Sequence, residues 1–395
     1  MTSSIHLSLV VILVLLCPVF SESIDPSVQD LISRNADFAA RLYRTVASQT
    51  DDNIFLSPFM VSAGLMALLN MTSGETRDQL QQGLTLTGLE PQDLPDLFQT
   101  LRTVVLQGDG TKNLQQSMNV FPASNFEVPP SYRDLVQTKF GGNIQTLAYT
   151  APQDAVSTIN HLVQEQTRDK VQDLVNNVNA QTQLLLVIAA SYQTLFSPSF
   201  NLSLSQDERF YVDRYHVVMV PMMFRADKYF LAYDRLLKAG VLKLPMAGGM
   251  AMLVVLPDEG VDVTAVEEEV TAEKIQAWIR QLKKTKLEVQ LPRFLLERQY
   301  SLKDVLQKLG VTQVFQDDAE ILNLGGANAP KLNQVFHKSV VSVNEHSDDL
   351  NTVGGVMFSA LPPRLTINRP FLFIIYQQNS GSLLFLGRVA DPTKK

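Results

Sequence analysis

The chain has 395 residues, is 45% hydrophobic and carries a formal net charge of −7. That is enough apolar chain to bury a large core, and a negative balance with no long basic run excludes nucleic acid as a partner. The one cysteine, Cys17, lies in the leader described next, so the mature chain has no disulfide, no thiol catalysis and no thiolate metal site.

Residues 7–16 form an apolar run, followed by Pro18 and by small residues at Ser21 and Ser23. The run is too short to span a bilayer and reads as a secretory signal peptide, although no Lys or Arg precedes it. Residues 1–21 are expected to leave, with cleavage after Ser21 or Ser23. Residues 24–395 are expected to form one domain, secreted and extracellular. No later stretch is apolar enough to cross a membrane, so no membrane partner is expected.

From 31 to 48, Phe38, Leu42 and Val46 fall four apart with Ala39 beside them, the apolar stripe of a helix. Asn53-Ile54-Phe55-Leu56-Ser57-Pro58 then opens a second helix, running to Leu69. Pro58 suits a first helical turn and Ser57 an N-cap, which accounts for Ser57 without catalysis. Asn70-Met71-Thr72 and Asn201-Leu202-Ser203 are N-glycosylation acceptor patterns. The second follows the Ser197-Pro198-Ser199 turn and reads as the better exposed. Residues 184–190 are an apolar strand. Lys283-Lys284-Thr285-Lys286, the densest basic cluster, reads as solvated surface. Residues 303–309 read as a helix closed by Gly310.

A polar stretch from Glu345 to Pro363 then hangs between two strand-like runs, 340–343 and 371–376. A structureless segment of roughly twenty residues is either a plain connector or an exposed functional loop, and we read it as bait offered to another protein. The five histidines are His6, His161, His216, His337 and His346. No Gly-x-Ser-x-Gly elbow, His-Glu-x-x-His pair or phosphate-cradling glycine loop accompanies them. The sequence therefore points away from an enzyme, and no cofactor or metal is expected.

Leu365-Thr366-Ile367-Asn368-Arg369-Pro370-Phe371-Leu372-Phe373 resembles the C-terminal signature of the serpins, and residues 384–392 their last strand. Residues 53–59, 220–224, 251–257 and 288–294 extend the resemblance over the mature chain, nearest the antitrypsin-like clade. Residues 159–170 look like the helix that crosses the front of the main sheet. The resemblance implies an α+β fold with large mixed sheets, about nine helices and an exposed reactive loop. It implies inhibition of an extracellular serine protease. The protease cuts the loop and forms an acyl-enzyme, and the cut loop enters the main sheet as a new strand. It makes His337 a buried shutter histidine near Ser57, satisfied by hydrogen bonds in the core. It sets Arg293 opposite Glu345 as an ion pair at the base of the loop. A protein cofactor, as in a related inhibitor, is a further implied partner. The segment that forms a heparin-binding helix in some serpins, here 91–106, holds Arg102 alone among acidic neighbours, which argues against heparin there. Two positions depart from the family: Ile188 replaces a polar shutter residue, and Gln193-Thr194-Leu195-Phe196 replaces a Lys-Gly pair followed by Trp.

The hinge departs as well. Where the family has Gly, Thr and then a run of Ala, this chain has Ser347, Asp348, Asp349 and Leu350. With period two, Asp348, Leu350, Thr352 and Gly354 share one face of an inserted strand. Burying an unpaired Asp348 carboxylate costs on the order of several kcal/mol, or it must take up a proton. Slow insertion lets a protease finish hydrolysis and leave. The alternative is thus a non-inhibitory serpin, either a carrier of a small hydrophobic ligand or a substrate that does not trap. Sixteen positions past Glu345 is Leu361, whereas counting back from Pro362-Pro363 gives Ser359. Phe358-Ser359 is the bond that suits a chymotrypsin-like pocket, with Ala360 next and Leu361 disfavoured by the proline after it. No Lys or Arg lies between Glu345 and Pro363, which excludes trypsin-like targets by primary specificity. Replacing Ser347 and Asp348 by Gly and Thr should lower the number of molecules consumed per chymotrypsin trapped. The change is about tenfold for each 1.4 kcal/mol taken from the insertion barrier. An unchanged ratio would move the defect to Ile188 and Phe196.

Overall fold

The computed structural model describes residues 24–106, 113–321, 329–345 and 362–395. The expected signal peptide, the hinge candidates after Glu345 and the four bond candidates Phe358, Ser359, Ala360 and Leu361 lie outside the described residues. Nine α-helices and two sheets are present among them, and no described helix is long and apolar enough to cross a membrane.

The helix Pro58–Leu69 is the centre of the fold. It is apolar on every side and all twelve residues are buried, as expected for a helix enclosed on all faces. It packs on strands Leu114–Pro122 and Leu184–Gln193 of one sheet and on Leu383–Val389 of the other. A side chain at Gly64 would meet Ile188 Cδ1 at 2.9 Å, so the helix lies against the sheet as closely as glycine permits. The first helix starts earlier than its apolar stripe, at Pro26, because the Asp25 side chain accepts the Ser27 N–H and caps it. The helix crossing the sheet spans Pro152–Gln166 and stops before 170, since Arg168 and Asp169 turn to positive φ.

One sheet has five strands, in the order Phe294–Ser301, Gln334–Val343, Leu184–Gln193, Leu114–Pro122 and Asn143–Ile144. The other has nine and includes Phe371–Gln377 and Leu383–Val389, every residue of which is buried. Residues 346–361 therefore join the end of one sheet to Arg364–Thr366 of the other.

A buried ionic cluster fastens the last strand. Arg388 Nη1 donates to Glu267 Oε2 at 2.6 Å, and Tyr43 Oη donates to Glu267 Oε1 at 2.5 Å. The other guanidinium donors take the carbonyls of Thr50 and Asp52. Burial pushes the Glu267 carboxyl up, with Arg388 and Tyr43 opposing it. Removing one partner of a buried pair leaves a charge uncompensated. Arg388→Met should cost about 3–5 kcal/mol, read as a lower urea midpoint, and an unchanged midpoint would show that the cluster contributes nothing.

Candidate functional site

The site is the root of the 346–361 segment and the sheet beneath it. Glu345 follows strand Gln334–Val343, and its carboxylate is gripped on two sides. Arg293 Nε and Nη2 donate at 2.9 and 2.7 Å, and Ser205 Oγ donates at 2.5 Å. Arg293 sits between strands Lys283–Pro292 and Phe294–Ser301, and its backbone N–H donates to Pro221 O at 2.8 Å. Burial pushes the Glu345 carboxyl up, but Arg293 and Ser205 outweigh it and hold the group below the ordinary range. The Arg293 side chain is 37% exposed, so solvent screening limits the pair to about 1 kcal/mol. At the far end of the segment, Pro363 O accepts the Glu288 N–H, and Arg364 bonds to Glu288 at 2.8 Å.

Beneath this root, Gln334–Val343 pairs with Leu184–Gln193 in parallel, from Gln334↔Leu185 to Ser342↔Gln193. The two strands bond directly to each other, so no strand lies between them. Side-chain bonds cross the same seam at three heights. Low down, Asn333 Oδ1 accepts the N–H groups of Gln183 and Leu184. In the middle, His337 Nδ1–H donates to Ile188 O at 3.3 Å, while Nε2 accepts the Ser57 N–H at 2.9 Å. At the top, the N–H and hydroxyl of Thr194 both donate to Ser342 O.

The two faces of the seam are held differently. Inside, Ser57 Oγ donates to Leu384 O, Ser339 Oγ donates to Phe55 O, and the Tyr300 ring stacks on His337. Outside, Lys338 Nζ donates to Gln172 O at 2.6 Å and pairs with Glu297 at 2.7 Å. Gln299 Nε2 donates to Leu174 O. The end of the crossing helix is pinned by Gln166, whose Oε1 accepts from Ser117 and Asn119. No group of three or more His, Cys, Asp or Glu side chains that could hold a metal is present among the described residues. Nor does His337 meet a nucleophile. Its partners are backbone groups, which orient it but offer no proton relay.

A family model described as Serpin (serine protease inhibitor) matches residues 33–392. The chain belongs to the serpin family. It is 30% identical over 371 residues to the mouse protein Z-dependent protease inhibitor, covering 92% of this chain and 83% of that one. It is 30% identical over 379 residues to the bovine leukocyte elastase inhibitor, covering 92% and 100%. Among solved structures, the mouse protein Z-dependent protease inhibitor superposes with a TM-score of 0.86 at 29% identity, covering 93% of this chain and all (100%) of that one. A thyroxine-binding globulin complex with thyroxine superposes with a TM-score of 0.84 at 27% identity, covering 92% and 99%.

Within this serpin, Ser57 occupies the N-cap position but its side chain does not cap the helix. The hydroxyl donates instead to Leu384 O, on a strand of the nine-stranded sheet packed beside the helix. Ile188 cannot offer the side-chain bond of a polar shutter residue, and its backbone carbonyl takes that place. Phe196 is buried and packs edge-on against Phe200, ring centres 5.1 Å apart. Sequence reasoning missed Ser205, Asn333 and Lys338, and it marked Thr194 only as part of a departure from the family pattern, not as a bond across the seam. Of the three, only Lys338 carried a signal, as the one Lys, Arg, Asp or Glu in strand Gln334–Val343.

His337 is fully buried, and burial lowers its pKa from 6.5 to about 4, with the Ile188 carbonyl pulling the other way. Above the unfolded value neither state holds the proton. As pH falls from 6.5 towards 4, the unfolded chain protonates and the fold does not, so stability is lost across that window. The loss is at most about 3 kcal/mol. It should appear as a drop in thermal midpoint between about pH 7.5 and 4.5 that His337→Gln abolishes, since Gln offers a donor and an acceptor without titrating. The same drop in the Gln variant would assign the effect to other groups.

Proposed function

We propose that this serpin is secreted and offers residues 346–361 as bait to an extracellular chymotrypsin-like serine protease. The observation that carries the reading is the direct parallel pairing of Gln334–Val343 with Leu184–Gln193. A segment folding back after Glu345 would run antiparallel to both strands. One slanted parallel pairing would be replaced by two antiparallel ones, which are stronger per residue. After the protease serine attacks a loop carbonyl, the acyl-enzyme travels with the entering strand. Entry must break the His337–Ile188 and Thr194–Ser342 bonds across the seam. Asp348 and Leu350 then oppose it from the side of the loop. Inhibition is therefore a race, and the hinge slows the winning step. Two relatives support the reading by name, the protein Z-dependent protease inhibitor and the leukocyte elastase inhibitor. The first name brings a protein cofactor into the proposal for this chain.

A carrier role is the second reading, and a cavity favours it. A cavity of about 560 Å³ is lined by Ile32 and Ala36 of the first helix, Ile279 of helix Ala272–Gln281 and Tyr376, with the charged Asp37, Glu273 and Arg280 among its polar lining. The Tyr376 hydroxyl is buried there with no partner among the described residues. An unpaired buried hydroxyl costs about 1–3 kcal/mol, which a ligand that opens a path to it and bonds it would recover. A thyroxine-binding globulin among the structural neighbours makes the class concrete.

Incubation with chymotrypsin and elastase, followed by a denaturing gel, separates the readings. A covalent complex that survives denaturation is the expected result. Clean cleavage near Phe358 without a complex would overturn trapping. No cut between 346 and 361 would overturn the bait itself. For the carrier reading, an apolar fluorescent phenol should bind the intact chain, and Tyr376→Phe should weaken it about tenfold.

A further inference from the structure

The two acceptor triplets are alike in sequence and opposite in structure. We propose that Asn201, and not Asn70, carries an N-linked glycan, an inference that rests on the secretory reading above. Asn70 caps the C-terminal end of the fully buried helix Pro58–Leu69, and its Nδ2 donates back to Met66 O at 2.9 Å. That nitrogen is the atom a sugar would occupy. The rest of its triplet is folded inward: Met71 is 1% and Thr72 0% exposed, and Thr72 Oγ1 is spent on Leu69 O. A glycan on Asn70 would leave Nδ2 a single N–H for the Met66 bond and would stand against a packed helix end.

Asn201 presents its amide the other way round. Its Oδ1 accepts both the N–H and the hydroxyl of Ser203, at 2.9 and 2.8 Å. The carbonyl side of the carboxamide is thus turned into its own triplet, and Nδ2 faces away from it. Leu202 is 66% and Leu204 48% exposed, so the short turn Leu202–Leu204 projects from the surface. The triplet ends two residues before Ser205, whose hydroxyl holds Glu345, so the sugar would stand beside the root of the bait segment. In the transfer, Nδ2 attacks the anomeric carbon of an oligosaccharide carried on a lipid diphosphate. The carbon–nitrogen bond forms as the carbon–oxygen bond to the diphosphate breaks. The diphosphate leaves with the electron pair, and Nδ2 gives up one proton.

The test uses the full chain made in a secretory eukaryotic cell, once with its own leader and once with a leader of proven export. Protein from the medium is treated with peptide-N-glycosidase in heavy-oxygen water, which marks each former glycan site as labelled Asp. Label on the Asn201 peptide and none on the Asn70 peptide is expected. Asn201→Gln and Ser203→Ala should each remove the enzyme-sensitive mobility shift, and Asn70→Gln should leave it whole. Label on Asn70, or an unlabelled Asn201 in exported protein, would overturn the proposal. Export only with the substitute leader would overturn the secretory reading alone, because the glycan is still read in that arm.

Discussion

Everything in this structure turns on two strands that run parallel where a third could lie between them. Gln334–Val343 and Leu184–Gln193 satisfy each other's backbone groups along the whole seam. Parallel pairing is the weaker arrangement per residue. The chain that leaves the top of one of these strands at Glu345 returns to a different sheet at Arg364. The seam is therefore stable as it stands and still replaceable, which is the condition that strand insertion requires.

What keeps the seam shut is a small set of polar side chains placed where backbone bonding alone would let it slide. Asn333, His337 and Thr194 each reach across it, at the bottom, the middle and the top. Lys338 and Gln299 strap the segment that follows the crossing helix onto the outer face. The bonds that Asn333, the His337 Nδ1–H and Thr194 make across it exist only while the seam is closed. Opening it by one strand leaves several donors unpaired in a low-dielectric interior, and each costs about 1–3 kcal/mol until a new partner arrives. The barrier is thus local and made of hydrogen bonds, while the reward for crossing it is spread along a whole strand.

His337 shows how such a latch survives a change of partner. With Ile188 in the neighbouring strand there is no polar side chain to meet, and the imidazole takes the Ile188 carbonyl at 3.3 Å instead. The ring keeps its tautomer because the Ser57 N–H fixes Nε2 as the acceptor. The exchange also lets the Ile188 side chain fill the space above Gly64. The cation at the root behaves differently. The Arg293 side chain is 37% exposed and that of Glu345 7%, so the pair fixes the position of Glu345 more than it stabilises the fold.

The sequence by itself determined the family, the buried central helix, the strands on either side of residues 346–361 and the ion pair between Arg293 and Glu345. Each rests on information local to the chain. A helix apolar on all faces must be enclosed, a strand shows itself as a short apolar run, and a family signature is read letter by letter. Only the tertiary structure decided which polar atoms meet. Ser57 looked like a helix cap and is a cross-sheet donor, because a hydroxyl's partner depends on what packs beside it. Ser205 carried no signal at all and the partner of Thr194 none, since the two lie 140 and 148 residues from the groups they bond. The two glycosylation triplets are equivalent as strings. Burial of Met71 and Thr72 against exposure of Leu202 and Ser203 separates them, and burial belongs to the packed chain as a whole.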